Sequence, residues 1–193
     1  MPVSVPEALH PLAPLLRPGR HGAEGAEPLR LEAPQREIVQ VLARRGQAEA
    51  LAAALGGLPG PGGSSTTRFG TLLWLQPGVW AVVRSRDAEG SLGAALRDAV
   101  GNAASVVDQT HGRSVIAVEG LAARRMLAKG VRIDLYPSAF PVGAVAVTEC
   151  AHLGVALHRA AADRYEFIVF STLAREFWHW ITEAAGEFGY TVV

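Results

Sequence analysis

The sequence predicts an α+β fold, with mainly antiparallel sheets, packed helices and an architecture repeated in two halves. Three observations predict it. Short branched or alternating runs that read as strands outnumber the helical runs and follow one another in hairpin-like succession. The regular strand–helix alternation of a doubly wound parallel sheet is absent. The order strand, short helix, loop, hairpin, long helix, strand is read twice, over about 31–110 and again over 111–193, with low residue identity between the halves.

Taken in order, residues 1–30 stand apart as a Pro-rich arm. Pro2, Pro6, Pro11, Pro14, Pro18 and Pro28 remove backbone donors and block a regular helix. Leu9, Leu12, Leu15 and Leu16 are unusually apolar for a solvated tail. They read as contacts that dock the arm on a partner or on the parent domain, against the plainer reading of a disordered leader. Removing residues 1–16 is then expected to loosen an assembly while 31–193 keep their fold. "PLRLEA" at 28–33 and the branched run "REIVQVLARR" at 36–45 read as strands, with 31–193 as the folded domain. "GQAEALAAALGG" at 46–57 is helical, with Gly56 and Gly57 as its stop. "LPGPGGSSTTRFG" at 58–70 reads as a mobile loop. "TLLWLQPGVWAVVRS" at 71–85 is a hairpin turning at Gln76-Pro77-Gly78, with Trp74 and Trp80 placed to face each other.

An amphipathic helix over roughly 87–100 presents Leu92, Leu96 and Val100 on one face. Strands "ASVVDQT" and "RSVIAVEG" then join near His111-Gly112. The second half continues with a helix at 121–129, a Pro-punctuated loop at 134–143 and strands near 144–149, 153–159 and 164–170. A helix over roughly 172–186 and the strand "YTVV" complete it. In that last helix Phe177 and Ile181 share a face, so Trp178 is expected to point elsewhere, either as a partly exposed ring or as an interface anchor.

Composition narrows the function. Lys plus Arg and Asp plus Glu number 18 each, so the formal net charge is zero, which disfavours broad binding to phosphate backbones. The single cysteine, Cys150, permits no intrachain disulfide and reads as a buried, inert thiol in a cytoplasmic protein. No run approaches about 18 apolar residues, so no membrane span is expected. No metal-ligand spacing or nucleotide fingerprint is present, and the Gly-rich loop lacks the Lys-Ser/Thr of a P-loop. Asp108, His111 and Ser114 are spaced at three, but His111 falls at a turn apex where nothing orients its ring, and no nucleophile elbow exists. His152, His158 and His179 read as ordinary polar residues without visible carboxylate partners.

Several stretches resemble the gamma-subunit family of heterotetrameric sarcosine oxidases: "ALHPLAPLL", "LLWLQPGVWAVV", "SVVDQTHGRSVIAVEGLAARRMLAKGVRIDLYPSAFPVGAVAVT" and "FWHWI". That family is itself similar to the first, folate-binding domain of glycine-cleavage T-proteins. The shared pattern falls here on Asp108, Gly112, Gly120, Ala122, Leu127, Asp134 and Gly143. Where T-proteins carry an acidic pair, this chain has Leu153 and Gly154. The resemblance therefore implies the shared fold with the folate chemistry lost, and no catalytic, cofactor or metal residue in this chain. It implies a subunit that packs on the alpha subunit beside beta and delta subunits, with FAD, FMN, NAD, zinc and tetrahydrofolate handled by the other chains. The complex would demethylate sarcosine oxidatively and pass the one-carbon unit to tetrahydrofolate. Candidate contact residues are Leu9, Leu12, Leu15, Leu16 and Trp178. A stand-alone folate or one-carbon binding module, or a subunit of a related N-methyl amino acid dehydrogenase, remain as alternatives.

Overall fold

The computed structural model describes residues 10–24 and 28–193. The element order is β1 (Gly19–His21), β2 (Leu29–Glu32), β3 (Arg36–Ala43), α1 (Ala48–Leu55), β4 (Ser64–Thr67), β5 (Gly70–Gln76), β6 (Val79–Ser85), α2 (Leu92–Val100) and β7 (Ala104–Asp108). It continues with β8 (Arg113–Glu119), α3 (Ala123–Leu127), β9 (Val145–Cys150), β10 (Leu153–Ala161), β11 (Arg164–Phe170), α4 (Ala174–Ala185) and β12 (Tyr190–Val192). From β3 to β7 the order is β-α-β-β-β-α-β, and from β8 to β12 it is the same.

The repeat extends to the sheets. One sheet runs β4-β5-β6-β3-β7; the other runs β9-β10-β11-β8-β2-β12-β1. Each strand of the first has its counterpart in the second, with β2 inserted between β8 and β12. All pairings are antiparallel except β12 with β2.

The layers follow from which faces are apolar. Val39, Val41, Leu72, Trp80 and Val82 carry α1 and α2 on the outside of the five-stranded sheet. Leu31, Ile116, Val118, Phe167 and Val169 carry α3 and α4 on the outside of the seven-stranded one. The inner faces meet through a thin core of Ile38, Leu73, Ala81, Val83, Val115, Val145 and Ile168. The result is a helix–sheet–sheet–helix stack. Central strand β8 is covered on both faces, which is why "SVIAV" is continuously buried rather than alternating.

Several expectations are corrected. The stretch 58–70 is not a free loop. Trp80 Nε1 donates to Pro59 O at 3.1 Å, Val145 N donates to Gly62 O at 2.7 Å, and Ser64–Thr67 pair with β5 as an edge strand. The backbone carbonyl of Gly62 in this segment thus accepts a bond that ties the two sheets together. The strands joined near His111-Gly112 do not pair with each other: β7 and β8 belong to different sheets, so the chain crosses there from one to the other. Helix α2 starts at Leu92, because Ser91 Oγ accepts from Ala94 N at 3.3 Å and Glu37 Oε1 accepts from Leu92 N at 3.2 Å.

The arm is likewise not separate. Residues 19–21 form β1 against β12, and β2 begins at Leu29. Leu12 is fully buried in the larger core and Leu15 and Leu16 pack half-buried against it. Leu9 lies outside the described residues. Trp178 is also corrected as an interface anchor, because it is only 3 % exposed. Helix α4 buries an arc wider than one sheet contact requires, since α3 and the leucines of the arm share the same core. Deleting 1–16 would therefore remove a core side chain. We expect Leu12→Ala alone to lower unfolding stability by about 2–3 kcal/mol, read from the urea midpoint at unchanged m-value.

Candidate functional site

Two clefts flank the thin inner core, each lined by residues of both sheets. The larger, about 670 Å³, is lined by Arg36, Ser64, Thr66, Thr71, His158 and Glu166 among others. Register explains the grouping. Strands β10 and β11 set His158 directly opposite Glu166, and β4 and β5 set Ser64 opposite Leu73 on the facing sheet.

Within it, Ser64 Oγ donates to Gly143 O at 2.8 Å and lies 3.2 Å from His158 Nε2. A hydroxyl has one proton. With that proton given to Gly143, the imidazole must be the donor in the second contact. The pair is thus a strut between sheets, and His158 holds no lone pair toward Ser64 with which to activate it. Burial pushes the His158 pKa below its usual 6.5, although the Glu166 carboxylate opposes the shift. The folded state therefore prefers the neutral ring. This contribution to stability is complete above about pH 6.5 and is lost as pH falls through the lower folded value. We expect the His158 ring resonances to titrate below 6.5, and His158→Gln to flatten the decline in stability between neutral and mildly acidic pH.

Beside this cleft Arg164 Nη1 donates to Glu119 and Nη2 to Glu32, each at 2.9 Å, with Glu166 at 3.1 Å. Burial disfavours its charge, but the bonds to Glu32 and Glu119 outweigh that and hold the guanidinium more firmly charged than usual. Glu32 is pushed up by burial, yet the hydrogen bond and charge of Arg164, with Arg30, bring it net below the ordinary range. Three strands, β2, β8 and β11, are clamped by this one side chain.

The second cleft, about 370 Å³, is mostly apolar, with Leu42, Leu75, Val79, Val147 and Phe170 among its walls and Arg113 as its cation. Gly154, at one of the two positions where the resemblance places acids, lines this cleft. The nearby carboxylate of Glu149, facing Gly154 across β9 and β10, pairs instead with Arg132 at 3.3 Å.

Asp108, His111 and Ser114 are not assembled into a relay. Asp108 Oδ1 accepts from Thr110 N at 2.8 Å; burial raises its pKa, and hydrogen bonds from Thr110 more than reverse this. Ser114, buried, faces Ser171 Oγ at 3.2 Å, and His111 is exposed. Cys150 is fully buried and its thiol is pushed up to about 12 by burial. Among the described residues no group of three or more His, Cys, Asp or Glu converges as metal ligands. Sequence reasoning did not single out Glu166 and foresaw neither the Ser64–His158 contact nor the surroundings of Arg113. Each of these residues gains its surroundings from strands far away in the chain, and a lone polar residue in a strand carries no signal of its partner.

Residues 46–187 match the profile of the sarcosine oxidase, gamma subunit family. The chain belongs to this family. Sarcosine oxidase subunit gamma from Corynebacterium sp. (strain P-1) is 33 % identical over 144 residues, covering 72 % of this chain and 70 % of the relative. The gamma subunit from Arthrobacter sp. is 31 % identical over 147 residues, covering 75 % and 72 %. Among solved structures, a chain of the heterotetrameric sarcosine oxidase from Corynebacterium sp. U-96 superposes with a TM-score of 0.79 at 28 % identity, covering 94 % of this chain and 96 % of that one. The aminomethyltransferase T of the glycine cleavage system from Bartonella henselae superposes at 0.65 with 17 % identity, covering 83 % of this chain and 49 % of that one. The gamma-family chain and about half of the aminomethyltransferase thus share one fold.

Proposed function

We propose that this chain is the non-catalytic gamma subunit of a heterotetrameric sarcosine oxidase. In that role it supports oxidative demethylation of sarcosine to glycine, with the one-carbon unit passed to tetrahydrofolate, while flavins, NAD, zinc and folate are held by the other chains. The observation that carries this reading is the agreement, over nearly the full length of both, with one chain of a sarcosine oxidase assembly. Two features support a bracing role. In the larger cleft Ser64 and His158 are engaged with each other, and Glu166 is drawn into the Arg164 clamp beside it. Large apolar side chains also stand open to contact: Leu121 is 68 % exposed, Tyr136 58 % and Val142 57 %. The half-buried Leu15 and Leu16 of the arm add to the surface available for the alpha subunit.

The test is affinity purification of a tagged chain from its native cells. The expected eluate contains three further subunits, shows flavin absorbance and oxidises sarcosine. A chain that elutes alone and colourless defeats the proposal. A flavin-bearing complex that ignores sarcosine but oxidises another N-methyl amino acid moves it to the related dehydrogenases.

A further inference from the structure

The second cleft has an uncommon balance of groups. Its walls include Ile38, Leu42, Leu75, Val79, Val147 and Phe170, with Gln40 and Gln76 as neutral polar groups, and among the described residues its one charge is Arg113. Arg113 stands at the start of β8, and the register of β8 with β11 places it directly opposite Phe170, its guanidinium carbon 3.6 Å from the ring centroid. Its Nε is buried and has no hydrogen-bond partner, and among the described residues it makes no ion pair. By contrast Arg36, Arg84, Arg132 and Arg164 all meet carboxylates. Burial lowers the Arg113 pKa and no acid opposes it. An arginine left with a desolvated, unused donor is an unfavourable state unless something supplies the acceptor.

Chemistry and dimensions then select what fits. A planar guanidinium stacked on an aromatic ring still offers its edge as a fork of donors, the geometry that receives a carboxylate bidentately. Apart from Gln40 and Gln76, the remaining wall rewards apolar surface. At the share of volume a water takes in the liquid, ~30 Å³, a cleft of about 370 Å³ holds roughly a dozen non-hydrogen atoms. In strand order β8-β11-β10, Arg113 and Gly154 are two strand spacings apart, about 10 Å. Gly154 lines the same cleft, and a Cβ there would meet nothing within 4 Å, so the floor at that end is open.

We propose that this cleft binds a small free carboxylate with an apolar body, such as a medium-chain acid. The carboxylate sits on Arg113 and the hydrocarbon runs across β11 toward Gly154. This site is separate from the Ser64–His158 cleft and does not depend on which oxidase the subunit serves.

The test is calorimetric titration of the full chain, in the oligomeric form in which it purifies, with octanoate, octylamine and 1-octanol. Saturable binding of one octanoate per chain is expected, with no binding of octylamine and at least tenfold weaker binding of octanol. Arg113→Gln should weaken octanoate at least tenfold. Gly154→Phe, which fills the far end without touching Arg113, should also block it while leaving the thermal midpoint unchanged. No binding of octanoate to the wild type, equal binding by Arg113→Gln, or equal affinity for octylamine would overturn the proposal. So would octanoate binding to the free chain but not to the assembled complex, because the acceptor for Arg113 would then come from a partner subunit.

Discussion

Replacing Phe177 with alanine should cost about 3–5 kcal/mol of stability, the range for removing a fully buried aromatic. Phe177 sits in the first turn of α4 with no exposed surface, its ring centroid 5.0 Å from that of Phe167 on β11 and 5.8 Å from that of Trp180. It joins the helix to the central strands of the seven-stranded sheet. Alanine is the better helix former, so local propensity works against any loss and the effect isolates packing. The cavity left behind lies between a helix and a sheet that are each pinned elsewhere, which limits collapse. Equilibrium urea unfolding checks it: the midpoint should fall with the m-value unchanged. A change under about 1 kcal/mol would mean that α4 is not held as the structure shows.

The second large effect is expected from a glycine. Gly70 opens β5 after the turn from β4 with φ +132°, and a Cβ there would lie 2.5 Å from Val83 O and 2.9 Å from Arg84 Cβ. The neighbour is the backbone of β6, which is paired on both sides in its sheet and cannot step back. Gly70→Ala should therefore cost about 2–4 kcal/mol, combining backbone strain with overlap. Gly78, in the turn between β5 and β6, is the control. Its φ is +76° but a Cβ would meet nothing within 4 Å, so Gly78→Ala should cost only about 1–2 kcal/mol. Thermal unfolding of the pair separates steric overlap from conformational preference. Limited trypsin digestion at Arg68 should also accelerate in Gly70→Ala, because the edge strand β4 depends on that turn. Equal losses in the two variants would contradict the close approach of β5 to β6.

The consequence for function runs through the same segment. β4 and the glycines before it tie the two sheets at Gly62–Val145 and Ser64–Gly143, so a displaced β4 would open the larger cleft. Gly70→Ala is thus also expected to loosen the His158 contact.

Much of the fold was legible along the chain. The branched run of β3, the Pro77-Gly78 hairpin with Trp74 opposite Trp80, and the amphipathic repeat of α2 all announce themselves through local periodicity, because side-chain direction within an element depends only on its own backbone. The repeated element order was legible for the same reason. What the sequence by itself determined is therefore the set of elements, their succession and the burial of Cys150. Only the tertiary structure decided which strands share a sheet, that β2 enters between β8 and β12, that Leu12 and Trp178 turn inward, and that Arg113 lines a mostly apolar cleft with no acid paired to it among the described residues. Those outcomes depend on contacts between residues tens of positions apart. A single polar or apolar residue has the same local signature whether its face is later covered by another sheet, by a helix or by nothing.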